Sequence, residues 1–215
     1  MKARALSLTM ASVLLLSGCA QSSQRYASNK DVGAYFTVPT EWTKINQKVL
    51  HKAEITGATA AGREKANLVL WQEAYSKVPN ILPKEIFGLI PTEHPIAFTR
   101  VRQFTIEESN GVSLNSLRDL IIPVTKLYAG ESSVVTDFVL LDDEEIIEKG
   151  ARGVRTTFSF TPPGALNETV KQTALISADR STLYFFIVRC STKCFKANSE
   201  EINKISDSFT VRGLQ

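Results

Sequence analysis

A chain of 215 residues carries 25 Lys and Arg against 22 Asp and Glu, with 43% hydrophobic and 22% charged residues and a formal charge of +3. Basic and acidic residues are interspersed along the whole length, without the basic stripe that phosphate neutralisation demands, so a nucleic-acid partner is not expected. The apolar content suits one core in one domain, and no internal repeat or second domain boundary is visible.

In chain order, residues 1–19 fall into three blocks: a basic stretch with Lys2 and Arg4, an apolar stretch over 6–16 interrupted by Ser7, Thr9 and Ser12, and then small residues. This is secretory targeting grammar. The apolar block is far shorter than the roughly 20 residues that span a hydrocarbon core, so it is a removable element and not a permanent helix. Leu16-Ser17-Gly18-Cys19 at its end resembles the lipobox of bacterial lipoproteins, read by diacylglyceryl transferase and the lipoprotein signal peptidase. The resemblance implies a signal peptide over 1–18, cleavage before Cys19, and lipidation there, the thiol becoming a thioether. Two or more acyl chains, at about 0.8 kcal/mol per buried methylene, make a long-lived anchor. Ala20 in place of Asp implies sorting to the outer membrane where the host has one, and otherwise to the outer face of the plasma membrane.

Loss of Lys2 and Arg4 leaves 23 basic against 22 acidic residues, a net charge near +1. Residues 19–31, rich in Ser, Gln and Asn, are expected to be a lipidated flexible tether, with a single globular domain over 32–215. An anchor on about a dozen flexible residues leaves that domain no need of a membrane-seeking face.

Residues 33–38 are expected as a strand stopped by Pro39, with 42–50 as its hairpin partner, 55–66 as a loop and 67–75 as a strand. Residues 78–95, with four prolines, are expected to be irregular, although Ile81, Leu82, Ile86, Phe87 and Leu89 are more apolar than a plain loop needs. They either cover one end of a sheet or present a partner-binding surface. An extended segment follows near 97–106. Leu114, Leu117, Ile121 and Val124 then recur at helical spacing, ended or kinked by Pro123.

A strand over 134–141 leads into the acidic run 142–148. Asp142-Asp143-Glu144-Glu145 lacks the spacing and central Gly of an EF-hand, and strand geometry sends alternate carboxylates to opposite faces, so the run is read as a solvated hairpin end and no metal is expected. Residues 150–153 turn the chain. Val154, Thr156, Phe158 and Phe160 alternate with polar neighbours. Strands over 168–178 and 183–188 follow, and the chain closes in an amphipathic helix with Ile202, Ile205 and Phe209 on one face and Asn198 with Glu201 as a capping box. Cys190 and Cys194 are the only other cysteines. In an oxidising compartment they read as a structural disulfide closing a five-residue loop, worth about 2 kcal/mol and fixing a strand-to-helix turn. Zinc would need a fuller ligand set, and C-x-x-C redox spacing is absent.

Consecutive strands with few helices indicate an α+β fold, an antiparallel β-sheet flanked by helices. Several details also resemble the PsbP-like α/β/α sandwich family, including small bacterial lipoproteins of the LpqN type. They are Phe36-Thr37-Val38-Pro39 with Trp42, Gly150-Ala151-Arg152-Gly153 before a paired strand, Tyr184 in a late apolar strand, and the closing Ile202, Ile205, Ser208, Phe209 tail. Glu41 departs from the Gly that many relatives place before the Trp. The resemblance implies a largely non-catalytic binding or assembly module in the cell envelope, without cofactor.

The residues themselves point the same way. There is no G-x-S-x-G, no H-E-x-x-H and no Gly-rich phosphate loop, and the two histidines, His51 on an expected strand and His94 in a Pro-flanked loop, are read as solvated or structural. Trp71 and Tyr75 share a strand face, and Tyr184 and Phe186 another, as core packing requires. Three functions stay open. An envelope protein-interaction module predicts an exposed apolar patch without a deep pocket; a carrier of a small or lipidic ligand predicts an enclosed apolar cavity; a hydrolase predicts His51 or His94 beside a nucleophile and a carboxylate.

Overall fold

In the computed structural model of the protein, residues 23–212 are described; the expected signal peptide, Cys19 and residues 20–22 lie outside them. In chain order the elements are β1 (Gln24–Asn29), β2 (Ala34–Pro39), β3 (Thr43–Ile45), α1 (Gln47–Ile55), α2 (Ala60–Asn67), β4 (Val69–Ser76), α3 (Pro83–Phe87), β5 (Ile96–Gln103) and α4 (Ile106–Gly111). They continue with α5 (Leu114–Arg118), α6 (Val124–Tyr128), β6 (Thr136–Glu148), β7 (Ala151–Thr161), β8 (Glu168–Ser177), β9 (Thr182–Ser191), α7 (Thr192–Ala197), α8 (Ser199–Asp207) and β10 (Thr210–Val211).

Seven strands form one antiparallel sheet in the order β3-β4-β5-β9-β8-β7-β6, and β1, β2 and β10 form a second sheet of three. The expected α+β class, an antiparallel sheet flanked by helices, is what the chain adopts. Alternation along each strand divides the large sheet into two buried faces. On one, Trp71 and Tyr75 of β4, Val101 of β5, and Tyr184, Phe186 and Val188 of β9 pack under the small sheet and α8. Phe36 of β2 is the hub, its ring 4.7 Å from Phe186 and 5.7 Å from Tyr75. The two aromatic pairs expected on separate faces thus share one core. On the other face, Phe98, Phe158, Phe160, Val170 and Ile187 pack under α1, α3 and α6, and Leu117 of α5 joins Val154, Ala174 and Leu183.

Several expected elements differ. Residues 24–29, expected within a flexible tether, form β1, because Ala27 is buried opposite Phe36 and Arg25 donates to the carbonyl of Trp42 while lying over the Tyr75 ring. Residues 42–50 are not a hairpin partner of β2. Thr43–Ile45 pairs with β4, and Asn46 then caps α1 by accepting from the Val49 amide. The expected loop 55–66 contains α2, capped by Thr59.

The single helix expected over 114–124 is two short ones. Pro123 forces Ile122 out of helical geometry, and Asp119 caps the first turn of α6 by accepting from the amide and hydroxyl of Thr125. The acidic run lies inside β6 and not at a hairpin end. Asp143 faces Arg118 on one side and Glu144 faces Arg155 on the other. The turn is at Lys149 and Gly150, and Gly153 already belongs to β7. The expected box at Asn198 does not form, because its side-chain amide donates to the carbonyl of Cys194 at the end of α7. Phe209 lies beyond α8 and stacks on Phe186 at 4.9 Å.

A Cβ on Gly153 would be driven into the backbone of Ala174 on the neighbouring strand, with no flexible side chain to yield. Gly153→Ala is expected to lower the unfolding free energy by about 2–3 kcal/mol, read from urea denaturation midpoints; an unchanged midpoint would mean that β7 and β8 are not paired in this register.

Candidate functional site

The outer surface of the second core face is built from short helices that the sheet holds by polar side chains. A helix of five residues is too short to persist alone, so each needs such a hold. Arg189 of β9 and Glu168 of β8 form an ion pair of 2.7 Å, their side chains 3% and 1% exposed. A second guanidinium nitrogen, Nη2, donates to the carbonyls of Glu85 and Gly88, each at 2.5 Å, while Nε is buried without a hydrogen-bond partner. These are the carbonyls that the end of α3 leaves without helical partners. Burial pushes the Glu168 carboxyl upward against the opposing pull of Arg189. At the start of α3, Pro83 occupies the first turn and Glu85 reaches back to accept from the Leu82 amide at 2.8 Å.

Gln172 of β8 does the same for α5. Its side-chain amide donates to the carbonyls of Leu117 at 2.8 Å and Arg118 at 3.1 Å. Arg100 of β5 reaches Glu54 of α1 at 2.5 Å and Gln72 of β4 at 3.1 Å, and its guanidinium lies 5.4 Å from the Phe87 ring centre.

Between α3 and the 119–123 connection these contacts leave an open groove of about 250 Å³ over Phe98, Phe185 and Ile187, with Arg100 and Arg189 also in its lining. A second hollow of about 260 Å³, lined by Phe104, Val112 and Leu117, adjoins it across Leu120. Phe87, Leu89 and Leu120 stand exposed along the rim. The two arginines at its floor are matched by Glu168 and Glu54, so no unpaired charge lies there. The sequence had marked 78–95 as unusually apolar. It gave no sign of the Leu120 side, which was expected inside a helix.

A different, larger cleft of about 540 Å³ lies at one end of the molecule, where Gln24, Pro39 and Glu41 face Lys77, Glu200 and Lys204. It is mainly polar.

The remaining candidates are placed as follows. Cys190 ends β9 and Cys194 lies in α7; they are disulfide-bonded, with Cα atoms 5.9 Å apart, and fix the strand-to-helix turn. Cys19 lies outside the described residues. His51 is on α1 and not on a strand, and His94 is in the Pro91–Pro95 turn. Among the described residues no hydrogen bond joins either imidazole to a Ser, Thr or Cys side chain. No three His, Cys, Asp or Glu side chains among the described residues converge on a point that would hold a metal ion. No helix among them is long and apolar enough to cross a membrane.

No family model matches the chain, and no curated protein matches it. Among solved structures it is similar to cyanobacterial PsbP (CyanoP) from Synechocystis, at 12% identity over 90% of this chain and 95% of that one, with a TM-score of 0.48. It is also similar to LpqN of Mycobacterium tuberculosis, a protein involved in cell envelope biogenesis, at 12% identity over 88% and 91% of the two chains and a TM-score of 0.48. A Pseudomonas aeruginosa protein of unknown function described as a putative regulator gives 7% identity over 89% and 99%, with a TM-score of 0.45.

His94 supplies a pH dependence. Burial holds its imidazole below the ordinary value against the pull of Glu85 and Glu93, and its Nε2 is buried without a hydrogen-bond partner. The unfolded chain therefore takes up the proton first, and stability present at neutral pH is lost as pH falls from about 6.5 through the lower value of the folded state. Urea midpoints are expected to drop between about pH 7.5 and 5.5. That drop shrinks in His94→Asn; an identical drop in the variant would remove His94 as its source.

Proposed function

We propose that the protein is an extracytoplasmic lipoprotein, anchored through Cys19, whose domain serves as a non-catalytic protein-interaction or assembly module in the cell envelope. The reading of the groove rests on one observation: an uncharged apolar rim, Phe87, Leu89 and Leu120, that is exposed while its α3 side is bonded from beneath by Arg189 and Arg100. A rigid rim loses little entropy on binding, which favours a partner presenting a short row of apolar side chains, such as one face of an amphipathic helix. Anchoring is supported by Leu16-Ser17-Gly18-Cys19 directly after a short apolar block, and export by the disulfide.

A carrier of a lipidic ligand is the second reading. Both apolar hollows, at about 250 and 260 Å³, are smaller than ordinary ligand pockets of about 300–1,000 Å³ and open to solvent. That weighs toward a protein partner.

Two measurements test this. Cys19→Ser is expected to abolish labelling by radioactive palmitate and leave the precursor uncut; cutting at the same bond with labelling retained would overturn the anchor. Crosslinking in intact cells followed by affinity capture is expected to enrich one envelope protein, with recovery falling about tenfold in Leu120→Asp, the cost of one desolvated apolar contact. Equal recovery from Leu120→Asp would remove the groove as the site, and a co-purifying lipid in place of a protein would favour the carrier.

A further inference from the structure

The pairing of residues 24–29 as β1 fixes which end of the domain the anchor can reach. Only residues 20–23 separate Cys19 from Gln24, so five Cα steps at about 3.5 Å each span about 17 Å at most. The eleven residues of β7, at about 3.3 Å each, measure about 36 Å. The anchor point therefore lies near one end of the sheet and cannot reach the other.

The register identifies that end. Gln24 pairs with Pro39, and four residues on, Thr43 pairs with Ser76 at the end of β4. Ser191, the last residue of β9, is opposite Glu168, the first of β8. The same end thus gathers the polar cleft at Gln24, helix α7, and the 162–167 turn, to which α7 is bonded through the Thr192 amide and the carbonyl of Asn167 at 2.9 Å. Lys77, Lys193, Lys196 and Lys204 are exposed there, against Glu41, Glu200 and Glu201, and Leu166, on the limb of its turn that leads into β8, is 64% exposed.

We propose that this end is a membrane-docking surface. Resting on the anchoring of Cys19, the inference is that the lysines face anionic phospholipid headgroups while Leu166 enters the headgroup layer. The opposite end, with the Lys149–Gly150 turn and Ile147, 85% exposed, then projects away from the lipid. The domain accordingly has a membrane-facing surface, contrary to what a tether of a dozen residues implied.

The test uses the lipidated mature protein reconstituted into vesicles of phosphatidylcholine and phosphatidylglycerol, with a small share of lipid bearing a nitroxide headgroup. Single tryptophans are placed by Leu166→Trp and Ile147→Trp, the emission of buried Trp42 and Trp71 being subtracted from the wild-type signal. Quenching is expected to lower the Leu166→Trp signal about twofold, as for a side chain within the headgroup layer, and to leave Ile147→Trp unchanged. Adding Lys193→Glu and Lys196→Glu is expected to reduce the Leu166→Trp quenching. Equal quenching at both positions, or more at Ile147→Trp, would overturn the docking surface. Flotation of the protein with the vesicles reads the anchor separately: protein that floats without the quenching difference defeats this inference alone, and protein that does not float defeats the anchor as well.

Discussion

Arg189 lies near one end of the second core face, with its charge matched by Glu168 and its Nη2 turned to the backbone of α3. Desolvating such a pair is costly, and removing one partner of a buried pair costs on the order of 3–5 kcal/mol because the other charge stays behind. The pair does more than close on itself. Without its donors the carbonyls of Glu85 and Gly88 would be left at a helix end facing apolar side chains, and α3 has too few residues to hold its shape unaided. The groove rim, Phe87 to Leu89, follows directly from that helix end.

The same device recurs across this face. Gln172 holds the end of α5, Arg100 holds α1 through Glu54, and Asp119 caps α6. Long amphipathic helices secure themselves by a wide apolar stripe; these short ones offer one or two apolar side chains each, Ile86, Leu117 or Val124, and polar bonds supply the remaining orientation. The opposite face works differently. There an aromatic cluster about Phe36 binds the two sheets, and α8 adds Ile202 and Ile205 to the same core. One face is therefore sealed by ring packing, and the other is a frame of polar clasps with apolar hollows between them.

The large strands were legible because alternation survives in them: Val154, Thr156, Phe158 and Phe160 line one side of β7 as their spacing required. The cysteine pair was legible from its spacing and compartment. What the spacing could not show was decided at a distance. Thr105 and Glu108 form a reciprocal cap on α4, with amide-to-side-chain bonds of 3.2 and 3.0 Å, and the T-x-x-E signal for it was present but unused. Asn198 and Glu201 carried a comparable signal and formed no box, because Asn198 also ends α7 and its side chain serves Cys194. A local motif thus states what a segment can do, and the neighbouring chain decides what it does. Residues 24–29 make the point again. Polar in composition, they read as tether, and only pairing with β2 and the burial of Ala27 show them to be strand. The Leu120 side of the groove was hidden because Asp119 and Pro123 interrupt a run whose spacing alone is helical.

The central claim is that polar side chains of the sheet hold the groove rim in place, and amide hydrogen exchange in the double variant Arg189→Met with Glu168→Leu tests it most directly. Removing both charges avoids an orphaned buried ion, so the sheet stays folded. The carbonyls of α3 then lose charge-assisted bonds of about 1.5–3 kcal/mol each. The account predicts that the Glu85 and Gly88 amides exchange at least about tenfold faster while those of β8 and β9 keep their protection. Unchanged protection at Glu85 and Gly88 would contradict it.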